Sequence, residues 1–489
     1  MKVGQEYRGL RSGYGFPVQV TDGKRTVDLD ETLWLFYDLE DERRLASSGS
    51  ARRDAGLGGS GRGKRGVSMD SGNAAWMLMA AAMVFLMTPA VAFFYGGMVR
   101  AKAVLNMLMM STVAIAVTGI IWTLWGWSIA YAGKDVGGIF GDPVTGFLLK
   151  DTVTAKDGIF TSVDLKDAPY PHTIDIAFQV AFAMICVALI SGALAERIKV
   201  STWMIFVALW ITLDYAPMAH MVWNNGLLSA DGAISNAIGA PAHDFAGGTV
   251  IHINAAVAAL VIVMIIGRRI GFKKEPMRPH NVPMVMLGAF LLWFGWFGFN
   301  AGSAFAANGT AGYSWVSTTI AASAATLGWL FTEKIRSGHY TAMGAASGMI
   351  AGLVAITPAA DVVSPLWAIV MGLVAGVVCC FACGLKFRFN YDDSLDVVGI
   401  HGVGGVLGTL MVGLFGAGTG LLAGGDYKQL LVQFLVALIA VIYAAVVTGV
   451  IAFALEKTVG WRVSDKEEVV GVDQSDQGES AYEFALSAN

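Results

Sequence analysis

Two stretches decide how this chain folds: Asp244-Phe-Ala-Gly-Gly-Thr-Val-Ile-His252-Ile-Asn-Ala-Ala256 and Asp396-Val-Val-Gly-Ile-His401-Gly-Val-Gly-Gly-Val406. In each, an acidic residue opens what reads as a helix. A histidine follows one to two turns inside, among Gly, Ala, Val and Ile. A titratable ring at membrane depth costs free energy and marks a functional-site candidate. The two segments read as counterparts in two halves of the chain, so the histidines need a joint explanation.

The surrounding composition supports membrane depth. The chain is 55% hydrophobic and 14% charged, against about a quarter charged in a soluble domain. Its 60 glycines suit close helix approach in lipid. A net charge of -4 gives no reason to expect a nucleic-acid partner. The cysteines, Cys186, Cys379, Cys380 and Cys383, all lie in apolar runs. The Cys380-Phe-Ala-Cys383 spacing reads as structural, because no neighbouring His or charge would lower a thiol pKa.

Apolar runs recur from Ala74, each long enough to cross a ~30 Å hydrocarbon core as a helix. They fall at roughly 74–95, 104–131, 174–195, 202–223, 247–267, 283–306, 315–333, 341–357, 365–385, 397–416 and 430–455. The reading is an all-α, multi-pass membrane protein with eleven transmembrane helices. Loops after odd-numbered spans, with the C-terminal tail, carry sixteen Lys and Arg; loops after even-numbered spans carry five. Positive charge favours the cytoplasmic side, so the N-terminus is expected outside and the C-terminus inside. The Asp…His segments are spans five and ten. Eleven spans therefore divide as a 5+5 inverted repeat plus one, with a site at the shared midplane.

Residues 1–73 stand apart, with twelve Lys or Arg and a Gly/Ser/Arg-rich stretch. They read as a basic, disordered tail without a secretory signal; a translation start at Met69 is an alternative to Met1. Residues 74–456 form the expected membrane domain and 457–489 a cytoplasmic C-terminal tail.

Several further segments resemble those of the ammonium transporter (Amt/Mep/Rh) family, in its bacterial Amt branch. They are Phe93-Phe-Tyr-Gly-Gly-Met-Val-Arg100, Gly192-Ala-Leu-Ala-Glu-Arg197, Ala219-His-Met-Val-Trp223 and Gly295-Trp-Phe-Gly-Phe-Asn-Ala-Gly-Ser303, together with the two Asp…His stretches. The resemblance covers residues 74 to about 483. It implies a homotrimer in the inner (plasma) membrane, with one pore per subunit and no cofactor.

An ammonium pathway needs a cation site at a mouth, a group to take a proton, and a narrow apolar tube for neutral ammonia. Aromatic faces suit a small cation. The resemblance places Trp223, Phe178, Phe182 and Ser303 at that mouth; alone, a tryptophan at a span end would read as an interfacial anchor. It also implies a phenylalanine gate of Phe182 and Phe299, with Trp296 lining the pore. Asp244 before Gly-Gly-Thr reads as a helix N-cap, and its charge would stabilise the cation indirectly. His252 and His401, if neutral, could share a proton between facing nitrogens. Two histidines without a third ligand make a poor metal site. Asp392, Asp393 and Asp396 precede span ten, where carboxylates favour the helix dipole; Asp396 is expected to order the inner vestibule.

The tail Lys457–Tyr482 resembles the family's regulatory tail, where PII signalling proteins dock in bacterial relatives. Gln477 departs from the His found there in many of them. The expected function is ammonium transport. The alternative is an ammonium sensor coupled to a signalling partner, against which stands a tail of only about 34 residues with no appended domain. No nucleophile–base pair, metal cluster or dinucleotide fingerprint suggests an enzyme.

Overall fold

The computed structural model describes residues 19–22, 25–28, 70–163 and 170–482. Within the first 65 residues, the described part is an antiparallel strand pair, Gln19–Asp22 with Arg25–Asp28. The expected disordered tail over 1–73 otherwise lies outside the described residues, except for its last few, where the first long helix begins.

That helix, α1 (Ser71–Met98), starts at Asp70, whose carboxylate accepts the Asn73 N–H at 3.0 Å. It is followed by α2 (Ala101–Gly126), α3 (His172–Leu194), α4 (Val200–Trp223), α5 (Gly248–Ile266) and α6 (Val282–Gly302). Then come α7 (Gly309–Ser337), α8 (Ala342–Ala359), α9 (Pro365–Phe389), α10 (Val398–Phe415) and α11 (Tyr427–Thr458). The described chain is thus nearly all helical. Besides the strand pair near the start of the chain, the loop between α2 and α3 carries two small antiparallel pairs at Asp135–Val136/Phe140–Gly141 and Val153–Lys156/Ile159–Ser162.

Among the described residues, ten of these helices are long and apolar enough to cross a membrane by length and composition. The exception is α7, which contains the expected span 315–333. Its 29 residues are long enough, but Ser and Thr dilute its hydropathy. Most of those hydroxyls are satisfied within the helix. Thr318, Thr319, Ser323, Thr326 and Thr332 each donate to the carbonyl four residues back, which removes most of the cost of polar groups away from water.

The outer helices turn apolar side chains away from the protein. On α11, Phe434, Leu438, Ile442, Val446, Val450 and Phe453 are all exposed. Their spacing of three and four places them along one face. Such a stripe is a liability in water and ordinary in contact with lipid.

Inside, small residues set how closely helices approach. A Cβ on Gly298 of α6 would lie 2.8 Å from the Ala80 carbonyl oxygen of α1, and one on Gly376 of α9 only 2.1 Å from the Ala325 oxygen of α7. Glycine lets these backbones touch, which is the main packing device where lipid removes the hydrophobic drive.

The two halves meet symmetrically. The first span of each expected repeat, α1 and α6, pack along one another, and the last ones, α5 and α10, do the same around the histidines. His252 and His401 are 149 residues apart. The same separation relates Asp244 to Asp393 and Gly247 to Asp396, and the last two share a left-handed backbone, with φ of 119° and 64°. A Cβ on Gly402 would meet Ala256 at 3.1 Å, and one on Gly405 would meet Ile253 at 3.2 Å. Exchanging the repeats exchanges these two contacts, as a pseudo-two-fold requires.

Candidate functional site

Both histidines sit in π-helical turns, Gly248–Ile253 and Val398–Gly402, where the sequence suggested ordinary helix. A π turn adds one residue per turn and re-aims side chains, and such turns gather at functional sites. Each turn is held by a carboxylate eight residues before its histidine. Asp244 accepts four backbone N–H groups, from Gly247, Gly248, Thr249 and Val250, at 2.6–3.2 Å. Its counterpart is Asp393, which accepts Val397 N–H at 3.0 Å and Val398 N–H at 2.8 Å.

The acidic residue that opens the second segment is therefore Asp393, not Asp396. The reason is geometric. With its positive φ, Asp396 occupies the corner that Gly247 fills in the first repeat. Its carboxylate turns to Lys386 Nζ at 2.8 Å instead. Asp244 also fixes its surroundings through its backbone, since its carbonyl accepts the Trp223 Nε1–H at 2.8 Å.

The imidazoles face one another. His252 Nδ1 and His401 Nδ1 are 3.2 Å apart, the ring centroids 5.3 Å apart, and the planes 24° from parallel. One ring must donate and the other accept across that contact. A ring that donates from Nδ1 has a bare Nε2, and a ring that accepts there carries its proton on Nε2. The two outer nitrogens are thus chemically unlike at any moment. His252 Nε2 has no protein partner, although the residue is only 1% exposed.

Aromatic rings continue the column. Trp296 lies on His252 with centroids 5.5 Å apart. Its indole is fixed by Thr357 Oγ1, which accepts Nε1–H at 2.8 Å. Phe299 comes next, stacked on Phe182 at 4.2 Å and 16°. Beyond this pair a cavity of about 130 Å³ opens, lined by Phe178, Phe182, Trp223 and Ser303, and also by Tyr131, Gln179, Phe245 and Phe305. On the other side of the stacked pair, His252, His401, Trp296, Phe94, Tyr95, Phe299 and aliphatic side chains enclose about 10 Å³, room for roughly one water-sized molecule. Ser303 donates its O–H to the Phe299 carbonyl at 2.8 Å, which leaves the oxygen lone pairs free to accept.

A second polar feature was not read from the sequence as a unit. At the end of the molecule away from Trp223, Arg269 holds Asp392 in a bidentate pair, with Nε and Nη2 at 2.9 and 2.8 Å, and reaches Glu196 at 3.3 Å. Arg100 Nε reaches Glu196 at 2.8 Å, and Arg197 Nη2 reaches the Asp392 carbonyl at 2.7 Å. Burial pushes the Glu196 and Asp392 carboxyls up, but the arginines outweigh it and hold both below the usual carboxylate range. Glu196, Arg197 and Asp392 were visible as motif residues, yet nothing local told which partners they would meet.

The tail joins this end. Asp473 accepts Leu105 and Asn106 N–H at 3.0 and 2.8 Å near the start of α2, and Glu468 accepts Ile270 N–H at 2.7 Å. Trp461 is fully buried.

Comparison with known proteins places the chain in a family. The profile described as Ammonium Transporter Family matches residues 75–482. An ammonium transporter of Mycobacterium bovis is 48% identical over 440 residues, covering 86% of this chain and 92% of the relative. The crystal structure of Saccharomyces cerevisiae Mep2 superposes with a TM-score of 0.71 at 30% identity, over 86% of this chain and 93% of that one. A structure described as a sensor Amt protein gives 0.73 at 28% identity, over 82% and 97%. With the paired imidazoles, the stacked phenylalanines and the repeat around them in place, these likenesses make this chain a member of the ammonium transporter family.

Proposed function

We propose that this protein carries ammonium across the plasma (inner) membrane of the cell through a passage that runs past His252 and His401. The observation that carries the reading is the imidazole pair itself, in Nδ1 contact at 3.2 Å with a buried, unpartnered Nε2. It sits in a space for about one small molecule, beneath a closed aromatic stack.

In this reading the cavity at Trp223 is the outer mouth. The faces of Trp223, Phe178 and Phe182 attract NH4+ by cation–π interaction, about 0.5–2 kcal/mol, and Ser303 accepts one of its N–H bonds. The stacked Phe182 and Phe299 part to pass the small ligand. A bare cation in hydrocarbon costs at least about 2.5–3.5 kcal/mol, so the ion gives up its proton before the narrow stretch, the proton returning to water at the outer mouth or crossing by a separate relay. Ammonia then passes along Trp296 and the two Nε2 edges, donating to the bare nitrogen and accepting from the protonated one. Asp244 acts at a distance: it holds the His252 turn and the Trp223 indole, and its charge favours a cation at the mouth. Asp396 with Lys386 borders the inner vestibule. We take α7 as the eleventh span, with the N-terminus outside, the tail inside and a homotrimeric assembly. No metal, cofactor or catalytic group is needed.

Reconstituted protein should give an ammonium-dependent flux that His252→Asp or His401→Ala changes strongly. Liposomes with wild-type protein and no such flux would refute the proposal. A second reading, ammonium sensing through a PII-type partner at the tail, is favoured by the likeness to the sensor Amt structure. It calls for direct binding of a PII protein to the full-length chain, lost when residues 457–489 are removed.

A further inference from the structure

One buried carboxylate is unused by this mechanism. Asp214 lies in a third π turn, Ile211–Tyr215 within α4, and is 0% exposed. Among the described residues, no Lys, Arg or His nitrogen comes within ion-pair distance of it. An ionised carboxylate left alone in such a place is too costly to persist and neutralises instead.

Its surroundings are hydrogen-bonding and uncharged. Trp210 Nε1–H donates to Thr448 Oγ1 at 3.0 Å, and the Thr448 hydroxyl in turn points to Asp214 Oδ2 at 3.4 Å. From α5 the fully buried Asn254 lies within reach of the same carboxyl group. Yet Asp214 Oδ1 and both amide atoms of Asn254 lack a well-formed partner. Buried polar atoms are rarely left so. A proton on Oδ1 would pair two of these three atoms, because the new O–H could donate to Asn254 Oδ1. The titratable groups around the carboxyl are Tyr215 on its own turn, Cys186 on α3, Tyr443 on α11, whose hydroxyl donates to the Leu213 carbonyl at 2.8 Å, and His252, two residues before Asn254. None is a fixed positive charge.

We propose that Asp214 is a second proton-binding site of this protein, separate from the imidazole pair, holding a proton that it shares with Asn254. Release of that proton places a negative charge between α4, α5 and α11, behind the turn that carries His252. The site thereby gives the membrane domain a proton-responsive element that does not involve the imidazoles.

Infrared difference spectroscopy of the full-length protein in bilayers, in sodium-free buffer at pH 7, tests this without any transport assay. An exposed Asp is ionised at that pH, about three units above its usual pKa. The wild-type-minus-Asp214→Asn spectrum is expected to contain one protonated-carboxyl C=O band that shifts in D2O. A carboxylate band in its place overturns the proposal. Should Asp214→Asn fail to fold, Asn254→Leu removes the acceptor and is expected to shift the same band towards a free acid; an unmoved band overturns the sharing with Asn254. Replacing choline by sodium is expected to leave the band unchanged. Its loss on sodium addition would mark a metal-cation site and refute the proton assignment.

Discussion

Asp244 shows how much one side chain can organise. Its carboxylate holds four N–H groups of the π turn and its carbonyl holds Trp223. Asp244→Ala leaves those donors without a partner in a site where water is scarce. Loss of a cap costs about 0.5–2 kcal/mol and each buried unmet donor about 1–3 kcal/mol. The variant should unfold several degrees lower in detergent, while Asp244→Asn, which keeps one acceptor oxygen, should fall between it and wild type. Equal midpoints for all three would show that the cap does not matter. Ser303 offers a test at the mouth. Its hydroxyl already donates to Phe299, so only its acceptor side is available to a cation. A hydrogen bond to a charged group contributes about 1.5–3 kcal/mol. Ser303→Ala should therefore raise the half-saturating ammonium concentration about tenfold or more, with the maximal rate little changed; concentration-dependent uptake would show whether it does.

At the scale of helices, packing depends on backbone contact. Gly376→Leu would drive a side chain into the Ala325 carbonyl, where even a Cβ would stand 2.1 Å away. The helix α9 must then move off α7. Overpacking of this kind costs about 1–3 kcal/mol, so the folded yield after detergent extraction should drop sharply, whereas Gly309→Ala, with nothing within 4 Å of its Cβ, should be neutral. The helices themselves were legible in the sequence because lipid demands long apolar runs. The partial exception, α7, hides its polarity by bonding hydroxyls to its own backbone, a device that leaves no mark on hydropathy. The π turns were not legible: no residue preference separates Gly-Thr-Val-Ile-His-Ile as a π turn from the same residues as α-helix. The choice is made by the carboxylate cap and by the opposite repeat. Asp396 misled for a related reason. An Asp directly before the apolar run looks like the cap, but a left-handed corner at that position hands the capping to Asp393, three residues earlier.

For the molecule as a whole, the arginine–carboxylate network ties α3, the start of α2 and the loops around α5 and α10 together at the end opposite Trp223. Removing one partner strands a buried charge, which costs about 3–5 kcal/mol. Arg269→Ala should therefore destabilise more than a typical surface change, and Arg269→Lys, which cannot make the bidentate pair with Asp392, should recover only part of the loss. Since Glu196 and Asp392 titrate below their unfolded values, the stability they contribute is full above the ordinary carboxylate range near pH 4. It fades as the pH falls below that range towards their folded pKa values. Unfolding midpoints recorded between pH 3 and 7 should show this acid loss in wild type and a smaller one in Arg269→Ala. The imidazole pair deserves the most direct test, which is uptake of ammonium into proteoliposomes with excess potassium present, wild type beside His401→Ala. Wild-type vesicles should take up ammonium far faster than protein-free ones, with no competition from potassium, and the variant should be slower by about a hundredfold, the scale of a lost proton-handling group. Uptake no faster than in protein-free vesicles, or a variant as fast as wild type, would contradict a passage that runs along the outer edges of the two rings.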